Sequence, residues 1–120
     1  METATLKPYK ITKGGTYKEV FTLNFNGEPL DLTAYTGIKM DIRKGEDESA
    51  ELLHSVSLGD GIEVSGENNN ILTITISKTV TKEWERDQYY RDIVFTDSED
   101  EDYYMLEGIV AVRKNITDND

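Results

Sequence analysis

Through most of the chain apolar side chains alternate with polar ones, the period of a strand with one buried face. The alternation is cleanest over residues 37–43, where Ile38, Met40 and Ile42 share one parity and Lys39, Asp41 and Arg43 the other. Residues 71–77 repeat it, with Leu72, Ile74 and Ile76 on one face and Thr73 and Thr75 between them. Residues 17–25 give a third one-sided face, Phe21, Leu23 and Phe25, with Thr22 and Asn24 opposite. Between Ser77 and Gln88 the alternation stops. There Val80 and Trp84 stand four apart on one helical face, and Thr79 or Thr81 is placed to cap one short helical turn near residues 79–87. Trp84, the only tryptophan, is positioned to close one end of a core.

Turn chemistry divides the remaining residues. Residues 1–7 have no period and read as a flexible arm, and Pro8 opens a short strand over 8–12. Gly14-Gly15 and Asn26-Gly27 mark reversals. Leu30 and Leu32 sit in a crossover that plugs the edge of the core. Residues 50–58 read as a strand, with a helix over 47–53 as the competing reading. Gly59-Asp60-Gly61 is a tight turn, and Ile62 opens a strand that Gly66 and Asn68–Asn70 reverse. Residues 89–96 and 103–114 flank an acidic hairpin loop, 97–102, and 115–120 form a polar tail. Ile109-Val110-Ala111-Val112 is apolar on both parities, which predicts a strand covered on both faces. About seven to eight short strands with closely spaced turns predict an all-β antiparallel sandwich, with a small barrel as the alternative.

At 120 residues the chain is expected to be one domain, its core spanning about 8–114 between flexible termini. It has no cysteine, which excludes disulfides and thiolate chemistry and points to folding inside a cell. No apolar run follows the start, so no signal peptide is expected. The apolar runs fall far short of the roughly 20 residues that span a bilayer, so no membrane partner is expected either. The 24 acidic and 13 basic residues give a formal charge of -11, which repels phosphate backbones and argues against nucleic acid.

Little in the chain carries catalytic or cofactor chemistry. The single histidine, His54, has no second histidine or cysteine with which to share a metal. No G-x-S-x-G occurs, Gly14-Gly15 is no phosphate loop, and no cofactor is implied. The acidic loop supplies weak cation-site candidates, Asp97, Glu99, Asp100 and Asp102, although the spaced ligands and central glycine of an EF-hand are missing. The tyrosine pairs Tyr89-Tyr90 and Tyr103-Tyr104 flank this loop, with one ring of each pair expected inward and one outward. Tyr89, Tyr103 and Tyr104 are the candidate interaction residues, since tyrosine is enriched at binding hot spots.

The order of the pieces carries a family likeness. Ile11-Thr12-Lys13-Gly14-Gly15-Thr16 precedes a strand, Asn26-Gly27-Glu28-Pro29-Leu30-Asp31-Leu32-Thr33 follows it, and Gly37-Ile38-Lys39-Met40-Asp41-Ile42-Arg43 comes next. Later come Leu72-Thr73-Ile74-Thr75-Ile76-Ser77, Tyr90-Arg91-Asp92-Ile93 and a closing Leu106-Glu107-Gly108-Ile109-Val110-Ala111-Val112. This resembles the small Ig-like β-sandwich domains of tailed-phage and prophage virion proteins, typified by the N-terminal domain of siphophage baseplate upper proteins. The resemblance implies an Ig-like sandwich and a non-enzymatic structural component of a tail, baseplate or neck. Its partners would be other virion proteins and further copies of itself, in a virion whose parts are made and folded in the bacterial cytoplasm. It carries over no catalytic residues. The alternative function is a carbohydrate- or cation-binding module built on the acidic, tyrosine-flanked hairpin.

Overall fold

In the computed structural model residues 4–47, 49–85 and 87–113 are described, and they are nearly all β. The strands are β1 (Ala4–Thr5), β2 (Tyr9–Thr12), β3 (Tyr17–Thr22), β4 (Asn24–Phe25), β5 (Glu28–Pro29), β6 (Tyr35–Arg43), β7 (Leu52–Leu58), β8 (Gly61–Ser65), β9 (Ile71–Ile76), β10 (Gln88–Asp97) and β11 (Asp102–Arg113). One 3-10 turn (Leu32–Ala34) and one short helix, α1 (Lys78–Thr81), interrupt them. A single nine-stranded sheet runs in the order β1, β11, β10, β6, β7, β8, β9, β3, with β2 also on β11, and β4 and β5 form a separate hairpin. The sheet curls back on itself, so that β3 faces β10 across the core. There are more strands than expected because three two-residue strands add to the count, β1 on the main sheet and β4 and β5 in their own hairpin.

The curl turns at β7 and β8. Gly59-Asp60-Gly61 is not a hairpin there: Ser57 pairs with Gly61 and Leu58 with Ile62 in parallel, so the chain steps sideways into the second layer. Gly61 has a φ of 98°, and a Cβ on it would stand 2.7 Å from Val56 Cγ1. Any other residue at this corner meets both backbone strain and a clash.

Three further expectations are corrected. Residues 4 and 5 belong to a strand rather than a flexible arm, because the free edge of β11 offers their backbone a parallel partner. The helical turn begins at Lys78 with Ser77 at its N-cap, and Thr81 does not cap it; its hydroxyl donates to the carbonyl of Gly15 at 2.7 Å. Phe25 leaves the core and is 45% exposed, because Asn24–Phe25 turns away into the β4–β5 hairpin. Of the two readings of residues 47–58, the strand prevails from Leu52 onward. Lys114 and the polar tail lie outside the described residues.

The core holds Ile38, Met40 and Ile42 from β6, Leu72, Ile74 and Ile76 from β9, and Ile93 and Phe95 from β10, as their parities require. Trp84 closes one end at 1% exposure, its ring edge-on to Tyr17 at 6.4 Å and to Tyr89 at 5.7 Å. Within this apolar interior lies an ion pair that no alternation shows. Arg91 of β10 grips Glu19 of β3 through two hydrogen bonds, Nη1 to Oε1 and Nη2 to Oε2. The Tyr17 hydroxyl accepts from Arg91 Nη1 at 2.6 Å and donates to Glu19 Oε1 at 2.8 Å. The side chains of Arg91 and Glu19 are 0% and 10% exposed. Burial works against the Arg91 charge, but the hydrogen bond of Glu19, the neighbouring Tyr17 hydroxyl and the charge of Glu19 together outweigh it and hold the guanidinium pKa above its ordinary value.

Removing one partner of such a pair strands a buried charge. Glu19→Ala is therefore expected to lower unfolding free energy by about 3–5 kcal/mol, read from urea denaturation. The double variant Glu19→Leu/Arg91→Met is expected to recover much of that loss, because it removes both charges together.

Candidate functional site

The outer face of β11, β10, β6 and β7 carries the side chains of the opposite parity to the core, and the strand register arranges them in transverse rows. One row runs Thr5, Glu107, Asp92, Asp41, Ser55, each residue directly opposite the next on the neighbouring strand. On one side of it lies the row Ile109, Tyr90, Arg43. On the other lies the row Tyr104, Val94, Lys39, Ser57. Apart from Ser55, these residues line a shallow trough of about 900 Å³.

Three carboxylates thus stand side by side across three strands. Asp41 is neutralised on both flanks, by Arg43 Nη2 at 3.3 Å and Lys39 Nζ at 3.6 Å, and it accepts from Ser55 Oγ at 2.8 Å. Asp92 and Glu107 form no ion pair among the described residues. The Asp92 carboxyl is held above the ordinary aspartate range, first by burial and then by the charge of Asp41, with Glu107 adding to it and Arg43 opposing. Like charges placed directly opposite destabilise a sheet, so this row costs the fold stability. Around it are apolar and aromatic surfaces: Tyr90, Val94 and Ile109 are half-buried, and Tyr104 is 54% exposed. The strand predicted to be covered on both faces is covered on one: Val110 and Val112 are buried, whereas Ile109 on the other parity lines the trough.

Of the three candidate interaction tyrosines, the structure places Tyr104 in the trough. Tyr103 lies at the sheet end, 38% exposed, and its hydroxyl donates to Asp97 Oδ2 at 3.2 Å. Tyr89 is a correction. It is 1% exposed, packs on Trp84, and its hydroxyl accepts from the Glu85 N–H, so it is a core residue. It shares the parity of Arg91, Ile93 and Phe95, and the outward ring of the pair is Tyr90. That parity was the signal available in the sequence, and Arg91 in the middle of the run masked it.

The acidic loop is closed on itself. Asp97 Oδ1 accepts from the N–H groups of Glu99 and Glu101, and these hydrogen bonds, with that from Tyr103, hold its carboxyl below the ordinary range. Asp102 accepts from Thr96 Oγ1 at 2.7 Å, while Glu99 and Asp100 are exposed. No group of three or more histidine or acidic side chains converges to hold a metal ion among the described residues. His54 is half-buried on β7, and burial pushes its pKa down.

The Asp92 shift carries a sign. A carboxyl whose folded pKa is raised favours folding below its unfolded value of 3.8, and that contribution is lost as pH rises through the folded value. Asp92→Asn is therefore expected to stabilise the fold at neutral pH by about 0.2–1 kcal/mol per relieved pair. The gain over the parent should vanish at about pH 3, as checked by paired urea midpoints.

No protein-family model matches the chain. No curated protein matches it either.

Proposed function

We propose that the chain is a non-enzymatic assembly module that docks on a neighbouring protein through the outer-face trough. The observation that carries this reading is the composition of the trough: two carboxylates that form no ion pair among the described residues, set between Tyr90 and Ile109 on one side and Val94 and Tyr104 on the other. Aromatic rings, Tyr104 exposed and Tyr90 half-buried, bordering a part-buried Asp92 and an exposed Glu107 suit a partner that presents arginine or lysine. An arginine satisfies both halves at once, because its guanidinium bonds carboxylate and stacks on a tyrosine ring. The apolar outer parity of β11 adds to this, since Ile109 and Ala111 make no contribution to the core.

The likeness to Ig-like domains of phage virion proteins supplies the setting. On that basis the assembly is the tail, baseplate or neck of a tailed phage or prophage, and the neighbours are other virion proteins. The localisation that follows is the virion, after folding in the bacterial cytoplasm.

Induced particles purified from the strain that carries this chain provide the test. The chain should co-purify with tailed particles and resist salt washes that remove adventitious protein. The variant Asp92→Lys/Tyr104→Ala should fold, as judged by its circular dichroism, and be lost from the particles. Particles without the chain, or particles that retain the variant at parental level, would sink the proposal.

A further inference from the structure

β1 and β2 form one N-terminal arm along the edge of β11, held in two pieces. Ala4 and Thr5 pair with Leu106 and Glu107, and residues 9–12 pair with residues 110–113, all in parallel. Between the pieces, residues 6–8 of the arm span only Gly108 and Ile109, so the ladder is interrupted. β2 is followed directly in the chain by β3, yet the two do not pair with each other. The turn between them carries Gly14 at a φ of 81°. Lifting the arm about this turn therefore breaks no rung between β3 and β9, and releases the hydrogen bonds of the Tyr9 hydroxyl to the Lys18 carbonyl and of the Lys13 N–H to the Arg113 carbonyl.

The groove that the arm fills is selective. Gly108 is bare where Leu6 crosses it, since a Cβ there would stand 3.1 Å from Leu6 Cβ. Tyr9 bridges the two layers: its hydroxyl donates to the Lys18 carbonyl of β3, and its ring lies 4.7 Å from the Tyr17 ring and 5.8 Å from the Arg91 guanidinium carbon. Ile11 is buried against the core. An extended segment that fits must present Leu-x-x-Tyr-x-Ile in this order, and the segment that does so is the same arm of another copy.

We infer that the arm exchanges between copies of this chain, each arm filling the groove between β11 and β3 of its neighbour. The exchanged and closed forms make the same contacts, so contact energy does not separate them, and concentration and the turn set the balance. An arm lifted without a replacement leaves the edge of β11 unpaired, which is a standing invitation to another strand. Thr5 forms part of the trough wall, so exchange hands that wall to a second subunit. The inference concerns the edge of β11 and stands apart from docking at its outer face.

The absence of cysteine makes the test clean. Lys10 and Ala111 are paired positions on the outward parity. Chains carrying Lys10→Cys and chains carrying Ala111→Cys would be mixed and treated with a short bismaleimide. A double variant with both cysteines in one chain reports that the reagent reaches. The expected result is a cross-chain product that grows with protein concentration, and that Tyr9→Ala makes appear about tenfold faster at unchanged final yield. Thr5→Cys mixed with Glu107→Cys repeats the measurement at the other end of the arm and serves if the first pair perturbs folding. No cross-chain product from either pair up to millimolar concentration, while the double variants link internally, overturns the inference. So does an equal yield from Lys10→Cys mixed with Glu63→Cys, an exposed position on the opposite layer, because that yield reports collision alone.

Discussion

Arg91 and Glu19 lie 72 residues apart in the chain and meet in the middle of the core, where each would be costly alone. The register of β3 depends on that meeting. Its sequence, Tyr17-Lys18-Glu19-Val20-Phe21-Thr22, places an apolar residue on each parity. Hydrophobicity favours burying Tyr17 and Phe21 over Val20, but that parity carries Glu19 into the core with them. In the structure Val20 is 56% exposed while Glu19 is buried, because the guanidinium opposite offers Glu19 two hydrogen bonds and a charge. A slip of one residue would turn Glu19 out to solvent and leave Arg91 buried without its partner. The pair contributes little net free energy compared with apolar packing, but it penalises the slipped register, which would strand Arg91.

Other parts of the fold hang from the same point. Tyr17 shares its hydroxyl with both members of the pair, and its ring touches Tyr9 on one side and Trp84 on the other. Trp84 in turn contacts Tyr89. A line of four aromatic rings therefore runs from the N-terminal edge through the second layer and the helical connection back to β10. The hydroxyl of Thr81 on the carbonyl of Gly15 ties the same connection to the turn between β2 and β3.

The central strands were legible because their parities are unambiguous: Ile38, Met40 and Ile42, or Leu72, Ile74 and Ile76, leave one choice of face. The strand pairing was not legible. Parallel pairing of β7 with β8 needs a positive φ and vacant space at Gly61, and a Gly-Asp-Gly triplet reads equally well as a hairpin turn. The short arm strand at Ala4–Thr5 was invisible, because pairing there draws on the backbone of β11 and leaves no side-chain period. The trough was half legible. Tyr104, Asp92 and Ile109 sit on outward parities that can be counted, but their arrival in adjacent rows depends on the bulge between β10 and β11. There Ile93 pairs with Leu106 and Val94 with Tyr104, so Met105 is passed over. Without that bulge Tyr104 would fall out of line with Val94. Nothing in the residues 103–106 announces it, since both parities there are apolar or aromatic.

The pairing of Thr5 with Glu107 also has a consequence in time. The two residues are 102 positions apart, so a ribosome that has just made the arm needs roughly 5–20 seconds to supply the strand it rests on. Hairpins such as that of β10 and β11 close in microseconds once both strands exist, so synthesis and not pairing sets the wait. For that whole interval the arm is a short segment with its inward residues Leu6, Tyr9 and Ile11 unsheltered. On a message carrying several ribosomes, the first finished β11 to come within reach need not belong to the same chain.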